Sequence, residues 1–225
     1  MIRLVLFDID GTLIHTNAAG VVAFGEVFHQ DFGFPGATTG VRFAGGTDAA
    51  LARGIFRSQG HEPSPEDFAK FFTSYTTRLA RLLRELGGGV FDGVDAFMDG
   101  LKALPEPPTI GLLTGNVRRG AEIKLGHFGL WDRFVMGGFG DDHENRDEIA
   151  KIAHRRGVEL LKRELKGEEI LVIGDTPLDV RCGRAIGAKV LAVATGMCSV
   201  AELAETRPDW AVASLKDLDV GEIVG

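Results

Sequence analysis

Ile2-Arg3-Leu4-Val5-Leu6-Phe7-Asp8-Ile9-Asp10-Gly11-Thr12-Leu13 is the stretch that decides how this chain is read. A near-continuous apolar run of this length suits a central parallel strand covered on both faces. It ends in two carboxylates, Asp8 and Asp10, which are costly to bury without a cation or hydrogen-bond donors to receive them. Gly11 lets the backbone turn sharply, and Thr12 is expected to bond to the turn's own amides. A lone Asp at a strand end is ordinary. At average usages of roughly 5–7% per fixed position, Asp-x-Asp-Gly-Thr turns up by chance in a chain of this length on the order of once in a few hundred. A functional reading therefore leads.

Beyond Leu13 the pattern changes from strand to helix. Residues 17–28 carry a helical apolar stripe despite their glycines. Thr47 or Asp48 is an N-cap candidate for a helix over 49–56. Ser64-Pro65-Glu66-Asp67 opens a further helix, with Pro just inside and acids in the first turn. That helix runs to about Leu86 and stops at Gly87-Gly88-Gly89. No convincing strand interrupts 14–90, and the segment is too long for an ordinary loop. It is expected to form a helical cap domain over a core built from 1–13 and 91–225.

After a helix over 94–104, strands and helices alternate. Strands are expected at Thr109-Ile110-Gly111-Leu112-Leu113, Phe134-Val135-Met136, Ile170-Leu171-Val172-Ile173 and Lys189-Val190-Leu191-Ala192-Val193, with Trp210-Ala211-Val212 a further candidate. Helices are expected through 121–125, over 147–166 and over 179–186. This alternation implies a doubly wound α/β fold on a parallel sheet.

The 225 residues carry a net charge of −7, 44% hydrophobic and 25% charged residues. That suffices for a sizeable core and argues against a nucleic-acid or anionic-membrane binder, whose footprint would be basic. It leaves room for a phosphorylated substrate, since a local cation can invert the field at one site. The two cysteines, Cys182 and Cys198, imply no disulfide framework, and Cys182 reads as helix packing. With no signal peptide and no apolar run of membrane-spanning length, a cytoplasmic protein is expected, a monomer or weak homo-oligomer.

In open α/β sheets ligands bind beyond the C-terminal ends of the strands. Three strands end there in Asp8 and Asp10, in Thr114 and Asn116, and in Asp175 and Asp179. Two unit charges about 4 Å apart repel by roughly 4 kcal/mol at an effective dielectric near 20. Several crowded carboxylates therefore call for a cation, and an all-oxygen set favours Mg²⁺.

These motifs resemble the haloacid dehalogenase superfamily of phosphohydrolases, in its phosphoglycolate-phosphatase-like branch with a helical cap. The resemblance rests on Phe7-Asp8-Ile9-Asp10-Gly11-Thr12-Leu13, Leu113-Thr114-Gly115-Asn116 and Ile173-Gly174-Asp175-Thr176-Pro177-Leu178-Asp179. It implies a Rossmann-like core and a Mg²⁺-dependent phosphatase acting on a small phosphate monoester. It casts Asp8 as the nucleophile that becomes an aspartyl-phosphate, already ionised at an ordinary carboxylate pKa. Asp10 becomes the general acid and base. Asp8, the Asp10 carbonyl and Asp175 would hold the metal, with Asp179 supporting the metal's water shell or orienting the basic residue. Thr114, Gly115 and Asn116 would hold the phosphoryl oxygens. The family's basic residue, usually Lys before Pro, is absent. Arg146 is preferred in its place because a guanidinium can pair phosphoryl oxygens bidentately, and Lys124 is the competitor.

Gly45-Gly46-Thr47-Asp48 resembles the family's cap loop, which makes Gly46 and Thr47 candidates for specificity. Gly46 stands where many relatives have a basic residue, so a carboxylate-bearing substrate such as phosphoglycolate would need Arg42 or Arg53. His15 reads as a surface residue that could line the entrance, and Phe71, Phe72 and Tyr75 as cap core. A β-phosphoglucomutase-like phosphomutase and a non-catalytic module of the same fold remain the alternatives. A dehalogenase, which needs neither Asp10 nor Mg²⁺, is disfavoured.

Overall fold

The computed structural model describes residues 1–216 and 218–225. In chain order, β1 (Leu4–Phe7) and β2 (Ile14–His15) precede three helices, α1 (Ala19–Phe32), α2 (Asp48–Ser58) and α3 (Pro65–Leu86). Next come β3 (Gly89–Val90), α4 (Val94–Ala103), β4 (Thr109–Leu113), α5 (Arg118–His127), β5 (Met136–Gly138) and α6 (Arg146–Leu161). The chain closes with β6 (Ile170–Gly174), α7 (Pro177–Ala185), β7 (Lys189–Val193), α8 (Val200–Glu205), β8 (Trp210–Val212) and α9 (Val220–Val224).

The main sheet has six strands in the order β5-β4-β1-β6-β7-β8, and every neighbouring pair is parallel. β1 lies between β4 and β6 and is buried along its whole length. Alternation along β1 sends Val5 and Phe7 into an apolar layer with Phe97, Met98 and Leu125 of α4 and α5. Leu4 and Leu6 enter the opposite layer with Ile149, Ala153 and Val180 of α6 and α7. Helices on both faces are what an all-apolar parallel strand requires.

The three helices after β2 build a third apolar cluster of their own around Phe24, Phe28, Phe56, Phe71 and Leu79. Ser64 and Asp67 start α3 with a reciprocal capping box, and α3 ends at Leu86 before Gly87, as its sequence indicates. Thr47 caps α2, accepting from the Ala50 amide at 3.2 Å. Cys182 is buried in α7. Among the described residues, no helix is long and apolar enough to cross a membrane.

α1 runs further than expected, to Phe32, and α8 and α9 are helices the sequence reading lacks; three other differences have a plain physical reason. The helical segment does contain strand: Ile14–His15 and Gly89–Val90 pair antiparallel, because the chain runs side by side where it enters and leaves that segment. Two residues per strand are too few for alternation to be legible. The third core strand is Met136–Gly138, not 134–136. Gly137 and Gly138 conceal it, yet a Cβ at Gly138 would lie 2.7 Å from the Ile149 carbonyl of α6. Phe134 instead packs edge-on against Phe7, centroids 6.2 Å apart. Finally, α6 stops at Leu161 rather than 166, because Lys162 adopts a left-handed φ of 53°.

Candidate active site

Asp8 and Asp10 leave the C-terminal end of β1, Thr114 and Asn116 that of β4, and Asp175 and Asp179 that of β6. The strand order places these three ends side by side. Carboxylate oxygens of Asp8, Asp175 and Asp179 all lie within 4.8 Å of one another, and all three residues are buried. Asp175 is seated by its neighbours. Thr12 Oγ1 donates to its Oδ1 at 3.1 Å, so Thr12 serves another strand's carboxylate rather than the amides of its own turn. Gly11 has a φ of +84°, and a Cβ there would sit 2.3 Å from Asp175 Oδ2; at Gly196 the distance would be 1.8 Å. Side chains at either position would evict the carboxylate.

Asp179 is committed on both oxygens. Its Oδ2 accepts from the Thr176 amide at 2.9 Å and the Thr176 hydroxyl at 2.7 Å, which closes a capping box on α7. Its Oδ1 accepts from Arg146. Arg146, the first residue of α6, also faces Asp8 Oδ1 at 3.1 Å, and its guanidinium lies 4% exposed. The Arg146 Nε, buried as well, has no hydrogen-bond partner among the described residues. Lys124 belongs to a different group: its Nζ donates to Asp10 Oδ2 and Asn116 Oδ1, both at 2.6 Å. Asn116 Nδ2 donates in turn to Asp10 Oδ2 at 2.8 Å and Thr114 Oγ1 at 2.9 Å. Both basic candidates are thus buried inside the site. Arg146 stands beside Asp8, and Lys124 beside Asp10.

Burial pushes Asp8 up to about 6 against the pull of Arg146. It pushes Asp175 to about 8, with Asp179 and Asp8 adding repulsion. The ordinary carboxylate pKa expected for Asp8 therefore does not hold in the protein alone. Burial also opposes the charge of Arg146, but Asp179 and Asp8 outweigh it and hold the guanidinium charged. Three clustered carboxylates around one guanidinium leave an excess of negative charge that a divalent ion would neutralise. The donors are all hard oxygens, so the residues fit Mg²⁺. The Asp10 side chain stands apart from the cluster, which is compatible with a contribution through its backbone carbonyl.

The loop before α2 reaches from the helical segment into this site. Asp48 N donates to the Gly115 carbonyl at 2.8 Å, while Asp48 Oδ2 accepts from the Val117 amide at 2.9 Å. Asp48 thereby caps α5, whose own N-cap, Val117, has no side chain able to do so. Burial raises Asp48 to about 6, with Lys124 and the Val117 amide pulling it back. Thr47 Oγ1 donates to the Glu144 carbonyl at 2.9 Å, and Arg146 to the Gly45 carbonyl at 3.3 Å. Gly46 carbonyl packs so tightly on Gly115 that a Cβ there would meet it at 2.1 Å.

Together these elements enclose a cavity of about 370 Å³ whose lining includes Asp8, Asp10, Asp48, Lys124, Arg146 and Asp175. Gly46 and Gly115 line it too, whereas Thr47 and Thr114 sit behind the wall. His15 lines the mouth, exposed and hydrogen-bonded to Asn17 at 3.2 Å. Neither Arg42 nor Arg53 lines the cavity. Arg53 instead pairs with Glu144 at 2.8 Å.

Asp48 and Thr176 fall within motif stretches of the sequence without a site role of their own, and nothing in the sequence gives one to Phe24. Tyr75, expected as cap core, is buried in the apolar cluster of α1–α3 and also lines the cavity. Thr176-x-x-Asp179 carried a usable signal, the capping-box spacing. Asp48 falls within the Gly45-Gly46-Thr47-Asp48 loop, but the partners that give its carboxylate and amide their role lie 67 and 69 positions away.

The sequence model for "haloacid dehalogenase-like hydrolase" matches residues 5–193. The phosphoglycolate phosphatase of Yersinia pseudotuberculosis is 27% identical over 96% of this chain and 91% of its own. PpaX of Clostridium perfringens, named as a candidate pyrophosphatase, is 25% identical over 100% of this chain and 98% of its own. The crystal structure of a hydrolase from Pseudomonas syringae superposes with a TM-score of 0.76 at 19% identity, covering 100% of both chains. At that identity the superposition speaks for the fold alone.

Proposed function

The chain belongs to the haloacid dehalogenase-like hydrolases, and from that premise we propose that it is a Mg²⁺-dependent phosphatase of small phosphate monoesters. The reaction runs through an aspartyl-phosphate on Asp8. The observation that carries this reading is the separation of two carboxylates that lie two residues apart in sequence. Asp8 joins Asp175, Asp179 and Arg146 in the buried cluster, while Asp10 is turned onto Lys124 and Asn116. Nucleophile and proton carrier therefore keep separate environments, as the two roles require.

Asp8 and Asp175 offer direct carboxylate ligands to Mg²⁺, with the Asp10 carbonyl beside them. When bound, the ion supplies charge neutralisation between a carboxylate nucleophile and an anionic ester. Asp8 Oδ attacks phosphorus, the ester P–O bond breaks, and Asp10 gives its proton to the departing alkoxide. Asp10 then takes a proton from water as that water attacks the acyl phosphate, which releases inorganic phosphate and restores Asp8. Arg146, held by Asp179, faces the phosphoryl oxygens together with the Gly115 and Asn116 backbone amides. The Asn116 side chain and Lys124 hold Asp10 in position. Residues 14–90 act as the cap that shapes the leaving-group side of the cavity through Gly46 and its neighbours.

The test is hydrolysis of p-nitrophenyl phosphate with and without Mg²⁺, alongside D8N. Turnover that needs both the metal and the Asp8 carboxylate is expected. Activity indifferent to either would overturn the reading.

A further inference from the structure

The leaving-group side of the cavity carries information that the phosphoryl side does not. Its wall is built by Val21 and Phe24 of α1, Phe43, Leu51 of α2 and Tyr75 of α3. It is a stiff surface: the Phe24 ring meets Tyr75 at 4.8 Å, Phe71 at 4.9 Å and Phe43 at 5.4 Å between centroids, all edge-on. Such offset aromatic clusters resist rearrangement around a ligand. Burial keeps the Tyr75 hydroxyl un-ionised, so the wall offers a neutral polar group along with its apolar surface.

No free cation for a second anionic group lines this side among the described residues; Arg42, next to Phe43, is exposed and is not part of the lining. Among the described residues, Lys124 and Arg146 are the lysine and arginine side chains that reach the cavity. Lys124 is held by Asp10 and Asn116 at 2.6 Å each, and Arg146 by Asp8 and Asp179. His15 at the mouth is exposed and bonded to Asn17. Of the two arginines of α2, Arg53 is turned away onto Glu144 and stacks over Phe68 at 4.6 Å, and Arg57 pairs with Glu62. The wall also contains the buried carboxylate of Asp48. A second phosphate or a carboxylate on the departing group would face that anion and Asp10 with no free partner, and desolvated anions need one.

Building on the phosphatase reading, we infer that the alcohol released here is uncharged and bears an apolar face. The substrate class is thus monoesters of neutral alcohols, not phosphoglycolate or pyrophosphate, although relatives bear those names. Phosphoryl chemistry stays common to the family while the wall selects what departs.

Matched esters test this with the full-length protein and Mg²⁺. 2-Hydroxyethyl phosphate differs from 2-phosphoglycolate by a hydroxymethyl in place of a carboxylate. Benzyl phosphate and 4-carboxybenzyl phosphate differ by the same charge on a larger frame. The neutral member of each pair should exceed its charged partner at least tenfold in kcat/KM, with pyrophosphate below both neutral esters. V21R, which sets a cation on the wall at a partly exposed position, should narrow the first ratio at least fivefold. Equal or reversed ratios in the wild type, or a ratio unmoved by V21R, would overturn the inference while leaving the phosphatase reading intact. No turnover of any ester would remove that reading, and the inference with it.

Discussion

Arg146 is the residue whose removal separates the two basic candidates most sharply. Its guanidinium faces Asp8 at 3.1 Å and also contacts Asp179, with side-chain exposures of 4%, 7% and 1% for the three. At an effective dielectric near 20, a pair at that distance attracts by roughly 5 kcal/mol. Withdrawing one partner from a buried pair costs on the order of 3–5 kcal/mol of stability, and R146A should lose about that much in urea titration without metal. Its turnover should fall about 10²–10³-fold, the usual effect of deleting a donor to the transferring group. R146K restores the charge but not the fork that spans Asp8 and Asp179, so stability should recover more than rate.

K124A makes the contrast. Asp10 keeps its bond from Asn116 at 2.8 Å and is 42% exposed, so water can replace part of what is lost. Stability should fall by only about 1–2 kcal/mol. With Asp10 in its proposed role of leaving-group acid, K124A should slow an alkyl ester at least tenfold more than an aryl ester, whose phenolate needs little help. R146A should slow both alike. Steady-state kcat/KM on benzyl and p-nitrophenyl phosphate reads the difference. An R146A enzyme within threefold of wild type, beside a K124A enzyme dead on both esters, would reverse the assignment.

Other consequences are as direct. G115A places a Cβ 2.1 Å from the Gly46 carbonyl, backbone that cannot rotate aside. It should cost about 1–3 kcal/mol of stability and lower kcat by displacing the cap loop, which denaturant titration and kinetics would show. Asp8 and Asp48 rise from 3.8 to about 6, and Asp175 to about 8. Each of these carboxyls holds its proton more tightly when folded than when unfolded, so stability without metal falls as pH rises from about 4 towards 8. The rise at Asp48 alone corresponds to about 3 kcal/mol, and D48N should flatten the slope between pH 4 and 6. Mg²⁺ compensates the ionised Asp8 and Asp175, so its increment in Tm should be larger at pH 8 than at pH 5. Equal increments would argue against carboxylate ligation.

Much of this was legible because the chemistry sits where the strand pattern ends. Asp8 and Asp175 follow apolar runs, and the run-then-acid pattern survives without knowledge of the fold. The capping-box spacing of Thr176 and Asp179 even indicates which way that carboxylate turns. Arg146 and Lys124 could be found but not told apart, since their roles depend on which carboxylate each meets across 138 and 114 positions. Asp48 and the wall formed by Phe24 and Tyr75 were hidden for a related reason. A residue at helical spacing shows which way it faces within its helix, but not that a cavity lies along the same face. The β2–β3 ribbon and the glycine-rich β5 escaped because two or three residues, some lacking side chains, carry no period.

The covalent step tests the account most directly. Protein mixed with p-nitrophenyl phosphate and Mg²⁺, quenched in acid within the first turnovers and digested at low pH, should yield a peptide heavier by one phosphoryl group. Fragmentation should place that mass on Asp8, and it should vanish after hydroxylamine treatment, in D8N, or when chelator replaces Mg²⁺. Phosphate release at the wild-type rate from D8N, or a phosphoryl group recovered on any side chain but Asp8, would contradict the mechanism.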